Sequence, residues 1–253
     1  TIKSDNLYVC KARGVFRNNK ETPLVGDIVD FDSNKKIIEK IYPRVNSLVR
    51  PPISNVDQAL IVTSCKDPEF SSNLLDKLLV VIEYNRIKPI VCFTKLDLLN
   101  DTEKAKITKY IEYYKSLGYL VLTNEKKANF AGVFQNKITV FTGQSGAGKS
   151  SLLNFLDNNL ELKTGEISKA LGRGKHTTRH VELFDVDGIY FVDTPGFSAL
   201  DLNVEDKENI KFAFKEFNNN GCKFRDCKHI NESGCQVIKD VEEENILRSR
   251  YEN

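Results

Sequence analysis

The run Gly143-Gln144-Ser145-Gly146-Ala147-Gly148-Lys149-Ser150 satisfies G-x-x-x-x-G-K-[ST] at every specified position. It follows an apolar stretch, Ile138–Thr142, that reads as a strand, and it leads into Ser151–Leu156, which opens a helix. Few octapeptides constrain a fold so tightly. Glycine lets the backbone approach a phosphate where any side chain collides, and the amide hydrogens at the helix start then face the anion. Gly143, Gln144, Ser145, Gly146, Ala147, Gly148, Lys149, Ser150 and Ser151 are therefore the expected phosphate-binding set. Lys149 should reach the β- and γ-phosphates, and the Ser150 hydroxyl should ligate magnesium.

Such a loop requires a parallel α/β sheet, and the surrounding pattern supplies one. Ala59–Thr63 and Pro89–Thr94 are continuous apolar runs, as expected of strands buried on both faces. Leu74–Tyr84 and Ile107–Leu117 carry helical stripes, the first through Leu75, Leu78, Leu79 and Ile82. Val181–Phe184 and Ile189–Val192, with Asp187-Gly188 between them, predict a hairpin that sets an antiparallel strand at one sheet edge. With 40% apolar and 28% charged residues the chain can build a core. No apolar run approaches the roughly 20 residues that cross a bilayer, so a cytoplasmic protein with no membrane partner is expected.

Asp193-Thr194-Pro195-Gly196 directly follows the strand Ile189–Val192. A carboxylate at that position suits the second magnesium contact, and the Gly196 amide can sense a γ-phosphate. Thr94-Lys95-Leu96-Asp97 follows another strand. There an Asp can accept from N1–H and the exocyclic amine of guanine, a pair that adenine lacks, while the Lys95 stem lies along the base. Asp97 precedes Lys149, whereas most proteins of this class meet the phosphate loop first. The two can grip one nucleotide only if the domain is circularly permuted, which surface termini allow.

Gly172-Arg173-Gly174-Lys175-His176-Thr177-Thr178-Arg179-His180 is rich in glycine and charge. It reads as a switch in which Thr177 or Thr178 contacts magnesium and the γ-phosphate. Phe197 occupies the position where many GTP hydrolases carry a water-orienting glutamine. His176 is the nearest polar substitute. Slow intrinsic turnover, raised by a partner, is the consequence.

Six cysteines are present, and three of them frame a histidine as Cys222-x4-Cys227-x-His229-x5-Cys235. Three thiolates and an imidazole in a short polar segment form a structural zinc set, one ion per chain, with no coordination position left for substrate. A helix is expected over Val237–Tyr251. Residues 1–52 carry ten Lys/Arg against six Asp/Glu, a net of +4. Their short runs Leu7–Cys10, Gly14–Phe16, Asp27–Phe31 and Lys36–Ile41 suggest a small β-barrel, and Pro51-Pro52 suggests a linker. A second basic cluster spans Lys163–His180. Fields of this sign attract phosphate backbones.

Together these motifs resemble the RsgA (YjeQ/YloQ) family of circularly permuted bacterial GTPases. The resemblance extends to Arg50-Pro51-Pro52-Ile53-Ser54-Asn55-Val56-Asp57-Gln58 ahead of the first sheet strand. It implies a multidomain α/β protein. Residues 1–52 would form an OB-fold that binds ribosomal RNA, 53–215 the permuted GTPase, and 216–253 a zinc-binding helical module. It further implies a monomer that binds GTP and GDP with Mg2+, docks on the small ribosomal subunit and its rRNA, and assists late maturation of that subunit. Weak hydrolysis stimulated by the subunit is implied as well, with a catalytic role at His176 supported by Lys149, Thr177 and Thr178. The base motif departs from the commoner N-K-x-D by starting with Thr94, and Thr123-Asn124-Glu125-Lys126 is the expected backing turn for the base. Two other readings stay open at this point: an ATP-using kinase or ATPase, and an RNA-binding scaffold with negligible catalysis.

Overall fold

The computed structural model describes residues 2–3, 6–18, 21–48, 52–123, 130–149, 151–152, 182–186, 189–193, 204–218 and 221–253. At the N-terminus β1 (Ile2–Lys3) and β2 (Asn6–Leu7) form an antiparallel ribbon. Next come β3 (Lys11–Ala12), α1 (Gly14–Asn18), β4 (Val29–Asp32) and β5 (Ile37–Ile41). The three strands make a sheet in the order β3-β5-β4, with β5 parallel to β3 and antiparallel to β4. Gly14–Phe16, expected as a strand, is instead part of α1. One helical turn lets Phe16 fold inward and become buried, a long-range gain that a three-residue apolar pattern cannot encode.

Pro52, the described part of the segment expected to be a linker, also belongs to the fold. Pro52 lies in the turn between β6 (Ser47–Leu48) and β7 (Ile53–Ser54), which pair antiparallel. Leu48 and Ile53 are both buried in the main core. Asp27 fastens the crossing. Its carboxylate accepts from Arg44 Nε at 2.7 Å and from Ser54 Oγ at 2.6 Å.

The central sheet runs through β8 (Gln58–Ser64), α2 (Ser72–Tyr84), β9 (Lys88–Thr94), α3 (Asp101–Ser116), β10 (Leu120–Thr123), α4 (Phe130–Phe134), β11 (Ile138–Thr142), β12 (Glu182–Val186) and β13 (Ile189–Asp193). Its six strands lie in the order β10-β9-β8-β11-β13-β12. All neighbours are parallel except the expected edge hairpin β12–β13. Alternate residues of β8 serve opposite faces, as the period of a strand requires. Ala59 and Ile61 meet Leu75, Leu78, Leu79 and Ile82 of α2 and Ile107 and Ile111 of α3. Leu60 and Val62 meet Phe130 and Phe134 of α4, together with Phe141, Ala147 and Leu152. The helices start where local chemistry dictates. The Ser71 side chain caps α2 by accepting from Leu74 N, and Asn100 with Glu103 forms a reciprocal capping box on α3.

Beyond the sheet, 3-10 helical turns at Val204–Ala213 and Lys215–Phe217 pack with α5 (Gln236–Glu242) and α6 (Arg248–Glu252). The single helix expected over Val237–Tyr251 is thus two. Glu244 takes a positive φ of 60°, and the amides of Asn245 and Ile246 both donate to the Asp240 carbonyl. This turn drops Ile246 into a cluster with Val237, Val241, Phe214, Phe217 and Val80 of α2. Arg250 anchors α6. It is 1% exposed, donates to Asp76 Oδ1 at 2.8 Å and Glu216 Oε1 at 2.7 Å, and stacks on Phe214 at 4.5 Å. Asp76 also accepts from the Tyr114 hydroxyl at 2.6 Å. Arg250→Ala leaves two buried carboxylates without their cation and is expected to cost about 3–5 kcal/mol, read as a lower urea midpoint. An unchanged midpoint contradicts this account of the anchor. Among the described residues no helix is long and apolar enough to cross a membrane.

Candidate nucleotide site and metal centre

β11 lies inside the sheet, with the strands that precede it in sequence on one side and those that follow on the other. The helices after β8 and β11 pack on opposite faces. Crevices at the carboxyl ends of strands at such a reversal are where open α/β sheets bind ligands. The phosphate loop leaves β11 there, Thr94 ends β9 there, and Asp193 ends β13 there. With strands about 4.8 Å apart, β9 and β11 are separated by roughly 10 Å, a span that suits a base at one end and its phosphates at the other.

The phosphate loop crosses closely over the end of β8. A Cβ on Gly143, whose φ is 133°, would sit 2.0 Å from the Val62 carbonyl oxygen. Gly143→Ala must therefore lift the loop off the strand. It is expected to weaken GDP binding about five- to a hundredfold by calorimetry, on a strain of about 1–3 kcal/mol. Wild-type affinity in that variant would contradict the contact. Lys149, Ser151 and Leu152 are helical, and Leu152 N donates to the Gly148 carbonyl at 2.8 Å. Lys149 Nζ donates to the carbonyls of Gly143 at 2.7 Å and Gln144 at 2.8 Å. Burial holds its ammonium below the ordinary lysine range. Two neutral carbonyls are weak partners for a half-buried cation, and a phosphate is a far better one.

Thr94 explains the departure from N-K-x-D. Its buried hydroxyl donates to the Ala147 carbonyl at 2.6 Å and also lies 3.2 Å from the Thr63 carbonyl. A threonine at this position thus ties the base-reading strand directly to the phosphate loop. Lys95 adopts a left-handed backbone with φ 61°, and its ammonium donates to the Asp67 carbonyl. Asp97 lies exposed in the 3-10 turn Leu96–Leu98, and no described residue pairs with its carboxylate. The loop after β8, which sequence reading did not single out, completes this wall. Pro68 lies beside Gly146, and Lys66 Nζ pairs with Glu103 at 2.9 Å. Asp67 at φ 49° and Gly146 at φ 77° both take left-handed backbones at that approach, and nothing local in sequence announces it.

Ser150, His176, Thr177, Thr178, Gly196, Phe197 and the expected backing turn at 124–126 lie outside the described residues, and of Asp193 only the backbone is described.

In the C-terminal module, Cys222, Cys227, His229 and Cys235 converge, with their ligand atoms all within 4.8 Å of one another. His229 Nδ1 is 3.6 Å from Cys222 Sγ and 3.4 Å from Cys235 Sγ. A tetrahedral zinc ion sets sulfur and nitrogen about 3.5–3.6 Å apart, so the donor set fits. Gln236 N donates to Cys222 Sγ at 3.3 Å, and Tyr251 Oη donates to the His229 carbonyl at 2.6 Å. The Glu232 carboxylate accepts from the backbone amides of Lys228, Ile230 and Asn231 and so holds the ligand loop in shape. Those amides keep its acidity well beyond the usual carboxylate range, at about 2.

Comparison with known proteins agrees with this geometry. The RsgA GTPase family model matches residues 41–203, and the RsgA N-terminal domain model matches 2–37. A relative from Oceanobacillus iheyensis, named small ribosomal subunit biogenesis GTPase RsgA 2, is 49% identical over 99% of this chain and 89% of its own length. One from Bacillus subtilis, small ribosomal subunit biogenesis GTPase RsgA, is 47% identical over 99% and 88%. The crystal structure of YloQ, described as a circularly permuted GTPase, superposes with a TM-score of 0.79 at 40% identity, covering 98% of this chain and 84% of that one. YjeQ from Thermotoga maritima gives 0.81 at 36% identity, covering 96% and 86%. With its phosphate loop on an inner strand and its base motif earlier in the sequence, this chain belongs to the RsgA GTPase family, a circularly permuted GTPase with a C-terminal Cys/His cluster consistent with a zinc module.

Proposed function

We propose that this protein hydrolyses GTP in the service of small ribosomal subunit maturation, binding the subunit and its rRNA and turning over faster when bound. The observation that carries the GTPase half is the bond from Thr94 to Ala147, which couples the end of β9 to the phosphate loop. One nucleotide laid across β8 then meets Asp97 through its guanine and Lys149 through its phosphates. Lys95 lines the base, while the amides of Gly143–Gly148 and the side chains of Ser150 and Ser151 surround the phosphates. The ribosomal half draws on the names of the relatives, which are small ribosomal subunit biogenesis GTPases.

Magnesium, when bound with GTP, neutralises charge on the β- and γ-oxygens. The Ser150 hydroxyl, the Asp193 carboxylate and Thr178 form the oxygen donor set that would hold it. Thr177 and Thr178 order the switch on the γ-phosphate side, Gly196 donates its amide there, and His176 orients the attacking water in place of the glutamine that Phe197 cannot supply. Zinc, when held by Cys222, Cys227, His229 and Cys235, would cross-link the ligand loop to the small apolar cluster that Cys227 and Cys235 join. We divide the chain into an RNA-binding OB-type domain over 1–52, the GTPase over 53–215 and the zinc module over 216–253, with Val204–Ala213 forming the seam.

The test is GTP turnover with and without small subunits, repeated for His176→Ala. A stimulation of at least tenfold that this variant loses supports the reading. Equal rates with and without subunits overturn the ribosomal half, and undiminished stimulation in the variant removes His176 from the chemistry.

A further inference from the structure

The zinc module carries two exposed aromatic rings that metal binding leaves unused. A cavity of about 310 Å³ has the metal ligands Cys222, Cys227 and His229 in its inner wall and, further out, Phe212 from the 3-10 turn and Phe224 from the ligand loop. That volume is at the small end of ligand sites, large enough for one planar group and too small for a helix. Both rings are turned to solvent, 62% and 46% exposed. Leaving two phenyl groups wet forgoes about 1.5–3 kcal/mol of burial for each when fully covered. They also come from separate segments of chain, so neither is explained by its neighbours in sequence.

Each ring is accompanied by a cation. Lys211 Nζ lies 5.2 Å from the Phe212 centroid and Lys223 Nζ 5.5 Å from that of Phe224. Arg225 lines the same cavity, against one exposed carboxylate on this loop, Asp226. Lys211 is held in place by donating to the Cys227 carbonyl at 2.8 Å. An apolar peptide would gain from the rings and lose by covering the ammonium groups. An unpaired nucleotide gains from both, because its base has a π face and its phosphate is an anion.

We propose that this cavity takes an unstacked base of single-stranded RNA, stacked against Phe212 and Phe224, with Lys223 and Arg225 on the flanking phosphates. The proposal rests on the reading that the protein works on ribosomal RNA, and it names a specific contact within it. It is tested on the full-length zinc-loaded protein with a fluorescent unstructured RNA octamer, by anisotropy, and with a 4-thiouridine version whose crosslinked peptides are mapped by mass spectrometry.

Phe212→Leu with Phe224→Leu keeps bulk and apolarity and removes the π faces. It is expected to weaken the octamer about five- to a hundredfold, whereas the Tyr pair at the same positions retains wild-type affinity. Lys223→Gln is expected to flatten the salt dependence by about one unit of slope. Crosslinks should fall in peptides containing Phe212 or Phe224. Wild-type affinity in the Leu pair, or crosslinks confined to residues 1–52, overturns the proposal. So does a Leu pair that binds the octamer normally but loses small subunits, a result that would assign the face to a protein. Zinc content and GDP affinity, measured on each variant, separate these outcomes from misfolding. If subunits fail to bind or stimulate the wild type, the underlying reading fails. If they do both while the Leu pair matches wild type, only this site fails.

Discussion

Asp97→Asn is expected to lower GDP affinity about 10²–10⁴-fold and to leave the weak binding of ADP unchanged. In the proposed site the carboxylate would accept two hydrogen bonds from guanine, each worth about 1.5–3 kcal/mol because the acceptor is charged. The amide keeps one acceptor and turns a donor toward the exocyclic amine, which is itself a donor. Asp97 is exposed, so the fold should be unaffected. Lys149→Ala provides the complementary arm. It removes the only ammonium described within the phosphate loop and should weaken GDP and ADP by the same factor, since both carry the phosphates. Calorimetry on the two variants separates base from phosphate recognition. Equal affinity of the wild type for ADP and GDP would remove guanine selectivity from the site, and a Lys149 variant that loses only GDP would break the assignment of its role.

Stripping the metal should have an effect of similar size on a different part of the molecule. Structural zinc contributes on the order of 10–16 kcal/mol of apparent binding free energy near neutral pH, more than a small module can otherwise supply. Cys227 and Cys235 are themselves part of the apolar cluster with Val237, Val241 and Ile246. Losing the cross-link therefore exposes the cluster. The purified protein is expected to hold one zinc per chain. A strong chelator, or Cys235→Ser, should abolish protection of the α5 and α6 amides from hydrogen exchange. GDP affinity should change less than threefold, because the contacts of the phosphate loop run through β8 and β9 and not through this module. Metal-free protein that melts like the loaded form would end the structural role of the ion. The sign with pH follows from the ligands: acid protonates the thiolates and imidazole, so the module weakens as pH falls.

Much of this molecule could be read before any fold was known. The phosphate loop, the base motif and the Cys/His set are each contiguous or nearly so, and each needs particular residue types for a chemical reason. The sheet was legible because its inner strands are apolar on both faces, and β8 is buried along its whole length. Elements whose conformation depends on distant partners were not legible. Gly14–Phe16 became helix because Phe16 found a core, and the last helix broke where Ile246 could be buried. The buried set of Asp76, Glu216 and Arg250 joins three segments that share no sequence pattern.

Thr94 shows the division most clearly. The sequence determined that a phosphate-loop motif, a T-K-x-D motif and a three-Cys, one-His spacing exist, and that the first two come in inverted order. Only the tertiary structure decided that a hydroxyl in place of the usual amide serves as the tie between strand and loop, with 2.6 Å to the Ala147 carbonyl. The reason is physical. Motifs are fixed by chemistry among neighbours along the chain, whereas the distance between two motifs is fixed by strand order and register, which emerge only when the whole sheet packs.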